Sequence, residues 1–232
     1  MSSGINLMKI ITWNCCLPPW SISRSKRLPK IVSTIISHSP DIICLQEVFF
    51  KRDAVFLQKE LESKGFIDFF HFKDLFIASK TKLSLKEGQK YKKQGKLFSL
   101  AILDVLYKKA FQLVECQDFT IVNTHLLSAL ASDIPKHQKT REKQIRRICE
   151  RLGGISKKLI ILGDFNFKPG TKPYNILLDA GFVDTMEDRD TKTKIKSRLD
   201  YFFVKNINNC KIKIGQIDYS ASDHALLILD VS

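Results

Sequence analysis

Apolar runs in this sequence repeatedly end on polar residues whose types can do chemistry. Met8 to Trp13 delivers Asn14, Asp41 to Leu45 delivers Gln46 and Glu47, and Ile121 to Thr124 delivers His125. Leu159 to Leu162 leads into Gly163-Asp164-Phe165-Asn166. Asp200 enters a further run after Arg198-Leu199, and Ser222-Asp223-His224 enters the last. Carboxylate and amide oxygens are what a hard divalent cation takes, and no sulfur stands at matching positions. Histidine is the side chain that moves protons near neutral pH, and an aspartate beside it fixes its tautomer. A cation and an acid/base pair together are the equipment for driving water onto an anionic phosphorus atom.

Each group taken alone has a plainer reading. Asp-x-Asn after Gly is common turn chemistry, because both side chains bond their own backbone. A Glu at a strand end is commonly solvated, His125 suits a structural role, and Ser-Asp-His can cap the following strand. Their ordered coincidence in one chain favours a site built on rigid strand ends.

The elements that would position these groups follow from apolar spacing. Strands are expected at Met8 to Trp13, Asp41 to Leu45, 66–71, 75–79, 98–106, 111–115 and Phe119 to Thr124, then Leu159 to Leu162, 199–204, 210–217 and 225–231. Helices are expected at Arg27 to Ser37, where Leu28, Ile31, Val32, Ile35 and Ile36 share a face, and at Arg52 to Lys64, stopped by Gly65. Two more are expected near 137–152 and 173–179. The lysine-rich stretch 80–97 reads as a mobile loop or hairpin tip. Helices among many strands, without a strict βαβ rhythm, suggest two packed sheets covered by helices on both outer faces. No fixed-period repeat and no linker stand out, so residues 1–232 read as one domain, with 1–7 a short disordered leader and Met8 an alternative start.

The 232 residues suffice for a buried core, and 44% hydrophobic with 27% charged residues is an ordinary globular balance. No apolar run reaches the length of a membrane span, and the first residues lack a secretory pattern, so a cytoplasmic location is the expectation. The six cysteines include no Cys-x-x-Cys pair, which argues for free thiols over zinc or a disulfide framework. The formal charge is +14, a field that attracts nucleic acid or an acidic membrane surface. Three segments concentrate it: Arg24, Lys26, Arg27 and Lys30; Lys80 to Lys96, with seven lysines against Glu87; and Lys136 to Arg151, with seven basic residues against Glu142 and Glu150. Each alone is a solvated face; three near the polar strand ends turn the reading toward binding, with Arg141, Arg146 and Arg147 the candidate substrate-binding residues.

The series Trp13-Asn14, Leu45-Gln46-Glu47-Val48, Asn123-Thr124-His125-Leu126, Gly163-Asp164-Phe165-Asn166, Arg198-Leu199-Asp200-Tyr201 and Ser222-Asp223-His224 resembles the endonuclease/exonuclease/phosphatase superfamily, which includes DNase I-like nucleases, sphingomyelinases and inositol phosphatases. The resemblance covers nearly the whole chain in the family's order. It implies an α/β fold, a four-layered α/β/β/α sandwich of the DNase I-like type with its site at one edge of the two sheets, and a metal-dependent phosphodiesterase. Glu47 then resembles the principal Mg²⁺ ligand, with Asn14 and Asp223 on the metal side and Mn²⁺ a possible substitute. Asp164 and Asn166 match the pair that orients the attacking water, and His125 the histidine that donates to the phosphate. His224 held by Asp200 matches the proton-transfer pair, with Asp164 the other candidate for general base.

Two departures stand out: no counterpart of the tyrosine that some nuclease members place near the phosphate, and Asp74 where relatives commonly have Gly. The basic clusters favour nucleic acid as substrate. A phospholipid is the alternative, because Asn14 with the Pro18-Pro19-Trp20 loop, Glu47-Val48-Phe49, and Arg141 with Gln144 are similar to the neutral sphingomyelinase branch. In that case Trp20, Phe49 and Phe50 are the candidates for meeting a membrane. The intact set of site residues disfavours a non-catalytic binding module, and nothing points to an obligate protein partner.

Overall fold

The computed structural model describes residues 7–21, 23–94, 108–128, 137–186, 193–194 and 197–232. In chain order its elements begin β1 (Met8–Asn14), α1 (Arg24–Ser37), β2 (Ile42–Gln46), α2 (Lys51–Glu62), β3 (Asp68–Phe72), β4 (Leu75–Ser79) and β5 (Leu85–Lys90). They continue β6 (Ala110–Cys116), β7 (Phe119–His125), α3 (Gln138–Leu152), β8 (Lys158–Asp164) and α4 (Lys172–Asp179). β9 (Val183–Asp184), β10 (Asp200–Lys205), β11 (Cys210–Ile214) and β12 (Leu227–Val231) complete them.

The strands make two six-stranded sheets, ordered β11-β12-β1-β2-β4-β3 and β5-β6-β7-β8-β10-β9. In each sheet one central pair is parallel, β1 with β2 and β7 with β8, and the other pairs are antiparallel. Side chains alternate across a strand, so each sheet has two faces to cover. Ile10, Ile42, Cys44 and Ile77 of the first sheet share a core with Ile121, Ile160, Leu162 and Phe202 of the second. On the outer face of the first sheet, Ile11, Trp13, Ile43 and Leu45 pack with Leu28, Ile31 and Ile35 of α1 and Leu57 and Leu61 of α2. On the outer face of the second, Leu159, Ile161 and Phe203 meet Ile145 and Ile148 of α3 and Tyr174 and Leu177 of α4. This is the four-layered α/β/β/α sandwich.

Toward one end the inter-sheet core turns polar. Gln46 Nε2 donates to Thr12 Oγ1 at 3.0 Å and to Asn123 Oδ1 at 2.8 Å, and Asn123 Nδ2 donates to Gln112 Oε1 at 3.1 Å. These buried amides fix one sheet against the other, since slippage would orphan polar groups that water cannot reach.

Two expectations change. The stretch 80–97 is not simply a loop: it holds β5, an edge strand in register with β6. Its lysines hid the strand from an apolar-pattern reading, yet charges are how a sheet edge is kept from pairing further. Gly88 belongs there because a Cβ would lie 2.5 Å from the Phe72 ring of the other sheet. The helix expected from Arg27 begins earlier, at Arg24, whose guanidinium is buried against Asp53 at 3.0 Å. The expected strand 98–106 lies outside the described residues, as does the leader apart from Leu7. All six cysteines are free, and among the described residues no helix is long and apolar enough to cross a membrane.

Candidate active site

The strand registers bring the polar ends to one edge. His125 of β7 stands opposite Asp164 of β8, and Asp200 of β10 stands opposite the same Asp164. Directly paired residues point to one face, so three functional side chains form a row across three strands. In the other sheet Asn14 pairs with Gln46, which puts Glu47 just beyond the strand. His224 enters through the turn before β12, where Trp13 Nε1 donates to its carbonyl at 2.9 Å and Ser222 Oγ donates to Asn14 O at 2.6 Å.

Backbone strain concentrates here. Glu47 and Asn166 take left-handed φ angles of 64° and 51°, each at a cost of about 1–2 kcal/mol. Gly163 has φ 129°, and a Cβ there would lie 2.0 Å from Thr124 O, so only glycine lets β8 lie this close to β7 just before Asp164.

Asp164 is the hub. Its Oδ2 accepts from Asn14 Nδ2 at 2.9 Å and lies 3.6 Å from His125 Nε2 and 3.9 Å from His224 Nε2. Its Oδ1 accepts from Asn166 N at 3.0 Å, and Asn166 Nδ2 donates to Leu126 O at 3.3 Å. Burial pushes the Asp164 carboxyl up, but His125, His224, Lys194 and the Asn14 hydrogen bond outweigh it and hold it low.

Among the residues expected to bind a metal, Asn14 Nδ2 also donates to Glu47 Oε1 at 3.1 Å, and Asp223 lies beside His224, its Oδ1 3.9 Å from Nε2. Asp223 Oδ1 is buried with no hydrogen-bond partner among the described residues. An orphaned carboxylate oxygen within an oxygen-rich donor set fits a hard divalent cation. Asp164, Asp200 and His224 also bring ligand-type atoms within 4.8 Å of one another. Two of these are already joined: His224 Nδ1 and Asp200 Oδ2 lie 2.9 Å apart, which suits a proton-transfer pair better than an ion site. Burial would lower His224, but the charge and hydrogen bond of Asp200 raise it to about 9, while Nε2 makes no hydrogen bond among the described residues.

The second histidine has a cluster that the sequence reading did not find. His125 Nδ1 and Asp74 Oδ2 lie 2.8 Å apart, and Lys109 Nζ lies 3.3 Å from the same oxygen and 2.8 Å from Nδ1. All three side chains are buried. Burial opposes the charge on Asp74, yet Lys109 and His125 hold its carboxyl well below the usual range. Burial and Lys109 push His125 down while Asp74 and Asp164 push it up, and the net direction is up.

Lys194 lies among the metal-side acids, its Nζ 3.3 Å from Asp223 Oδ2. Burial would lower this amine, but Asp164, Asp223 and Glu47 keep it protonated and raise it.

The arginines expected at the substrate separate. Arg141 is buried, and its Nη1 donates to Leu127 O at 3.1 Å, just after His125. Gln144 accepts from Leu127 N at 3.0 Å, so both side chains hold the loop that follows the histidine. Arg146 and Arg147 lie on the exposed face of α3 and are not brought to the site: Arg146 borders a surface depression with Asp179, and Arg147 Nη2 donates to Gln89 at 2.9 Å. Other basic residues are spent on carboxylates, as in Lys86–Asp68 at 2.6 Å and Arg151–Glu87 at 2.6 Å. Phe49 and Phe50 are half-buried at the start of α2, whereas Trp20 is 62% exposed on the loop after β1.

No curated protein sequence matches the chain. Solved structures with the same fold include a Staphylococcus aureus beta toxin, 15% identical with TM-score 0.79 over 97% of this chain and 100% of that one. Sphingomyelinase C from Streptomyces griseocarneus is 14% identical with TM-score 0.73, over 97% and 99% of the two chains. D. rerio TDP2 complexed with a single-strand DNA product is 15% identical with TM-score 0.71, over 98% and 99%. The model of the Endonuclease/Exonuclease/phosphatase family matches residues 11–224, almost the whole sandwich and every residue of the row described above. The chain belongs to that family, whose fold is the DNase I-like sandwich.

Proposed function

We propose that this protein hydrolyses phosphodiester bonds in nucleic acid, with Mg²⁺ (or Mn²⁺) held by Glu47, Asn14 and Asp223. The observation that carries the reading is the single carboxylate Asp164 set between two buried histidines, 3.6 Å from one and 3.9 Å from the other. A divalent cation would neutralise the phosphoryl oxygens as negative charge develops. His224 Nε2, without a hydrogen bond among the described residues and backed by Asp200, takes or returns the proton. Asp164 and Asn166 orient the attacking water, and His125 donates to a phosphoryl oxygen.

Nucleic acid as substrate is supported by the +14 charge and by exposed Lys26, Lys30, Lys51 and Arg52 near the starts of α1 and α2, the helices that follow Asn14 and Glu47 in the chain. A phospholipid is the second reading, favoured by exposed Trp20 on the loop that joins β1 to α1. The test is cleavage of single- and double-stranded DNA, RNA, and sphingomyelin or phosphoinositide vesicles, with Mg²⁺ or excess chelator. Nuclease activity that needs Mg²⁺, with binding that weakens steeply from about 50 to 200 mM salt, supports the first reading. Vesicle cleavage without nuclease activity selects the second, and full turnover in chelator overturns the metal assignment.

A further inference from the structure

Lys194 has no place in the machinery just described, yet its ammonium lies inside it. The backbone fixes it there: Lys194 N donates to Ser197 O at 3.0 Å, Ser197 N donates to Lys194 O at 2.7 Å, and Lys194 forms an antiparallel bridge with His224. Next to it, Thr193 O accepts from Ala225 N at 2.7 Å, and Thr193 Oγ1 accepts from Asp200 N at 3.0 Å. The backbone that carries the side chain is therefore tethered beside both His224 and Asp200. Its Nζ reaches Asp223 Oδ2 at 3.3 Å, on the carboxylate whose other oxygen makes no hydrogen bond among the described residues. At 39% side-chain exposure it also has room to move outward, unlike Lys109 at 2%.

A single positive charge among Glu47, Asp164 and Asp223 does part of what a divalent cation would do. Both cannot sit there at full strength, because like charges a few ångströms apart repel. From these positions we propose that Lys194 is the site's own counter-ion: it pairs with Asp223 while no divalent cation is bound, yields that carboxylate to the incoming cation, and then contacts a phosphoryl oxygen of the substrate. The second half follows from the tether. A displaced ammonium held at His224 faces the space between His224 and Asp164, where the reacting phosphate must lie. The inference rests on the metal assignment to Glu47, Asn14 and Asp223.

The ammonium and the metal compete for one carboxylate, so removing one must tighten the other by the same coupling. The experiment is calorimetric titration of chelator-stripped protein with Mn²⁺, for wild type, Lys194→Met, Lys194→Arg and Glu47→Gln, followed by kcat and KM on the cleaved substrate. Lys194→Met is expected to bind Mn²⁺ about tenfold more tightly, to melt at lower temperature than wild type without metal, and to raise KM about tenfold with kcat within about threefold. Lys194→Arg is expected to stay near wild type in metal affinity. Unchanged or weaker Mn²⁺ binding by Lys194→Met overturns the counter-ion role, and an unchanged KM overturns the phosphate contact. If wild type binds no Mn²⁺, or Glu47→Gln binds it equally well, the metal site itself is wrong, an outcome separate from failure of Lys194 alone.

Discussion

Two histidines face the same carboxylate, and their surroundings give them different work. His224 is hydrogen-bonded through Nδ1 to Asp200, its Nε2 has no hydrogen bond among the described residues and faces Asp164 and Asp223 at 3.9 Å, and it is raised to about 9. His125 shares Asp74 with the ammonium of Lys109, which stands 2.8 and 2.9 Å from its two ring nitrogens. A histidine with one anionic partner and a bare nitrogen can accept or release a proton with little rearrangement. A histidine locked between an anion and a cation is held in place and can serve as a fixed donor. The difference lies in the second partner, not in the imidazole.

The sharpest way to break this comparison is to delete each ring. His224→Ala should lower kcat about 10³–10⁴-fold, the range of a lost acid/base partner. His125→Ala should lower it about 10²–10³-fold, the range of one lost donor to the transition-state oxygen. Both should keep wild-type circular dichroism. Equal losses, or a larger one at His125, would remove the division of labour.

Lys109→Met takes away one of the two cations beside Asp74, and the protein should lose about 3–5 kcal/mol in urea unfolding. Asp74→Asn added to it should recover part of that loss. The third prediction concerns pH in chelated protein. The folded pKa of His224 lies above the usual 6.5 or so, so its contribution to stability is full below that value and lost as pH rises through about 9. The gap between wild type and His224→Gln should therefore close from pH 6 to pH 10, by about 3 kcal/mol at most. Denaturation midpoints at four or five pH values suffice to test it.

The smallest expected effect calibrates the others. Glu87 is pulled low by Arg151, and by the opposite sign its contribution is present above the ordinary Glu pKa and lost as pH falls through the folded value. The pair is partly exposed, so Glu87→Gln should cost no more than about 1 kcal/mol at pH 7 and nothing near pH 3. A loss as large as that of Lys109→Met would mean that burial is not what separates the two pairs.

The sequence exposed the first histidine environment and concealed the second. Asn14, Glu47, His125 and Asp164 follow apolar runs, and Asp200 and His224 stand where runs begin, so a reading of strand ends finds them all. Asp74 and Lys109 obey the same geometry: they precede β4 and β6, whose partners β2 and β7 end at the site edge. Asp74 drew notice only as a departure from glycine, and Lys109, one of a Lys108-Lys109 pair, drew none. Their pairing across 35 residues depends on sheet order, which local pattern does not carry. Arg146 and Arg147 stand on the outer face of α3, a placement that charge read without helix phase does not show. The buried positions Arg141, Gln144, Ile145, Ile148 and Leu152 define the inner stripe of α3, and 146 and 147 fall off it. The edge strand β5 escaped because exposed edges carry charge instead of alternation.

The contact of Trp13 with His224 spans 211 residues, and that of Ser222 with Asn14 spans 208. The first strand therefore closes only against the last. α1, α2 and most strands of both sheets precede in sequence the turn that brings Asp223 and His224 to the site. Pairings this distant in sequence are slow to form, because the loop entropy must be lost before the contact returns anything. On the proposed reading, the acid/base set is complete only once β12 lies beside β1 and the turn before it reaches Asn14 and Trp13.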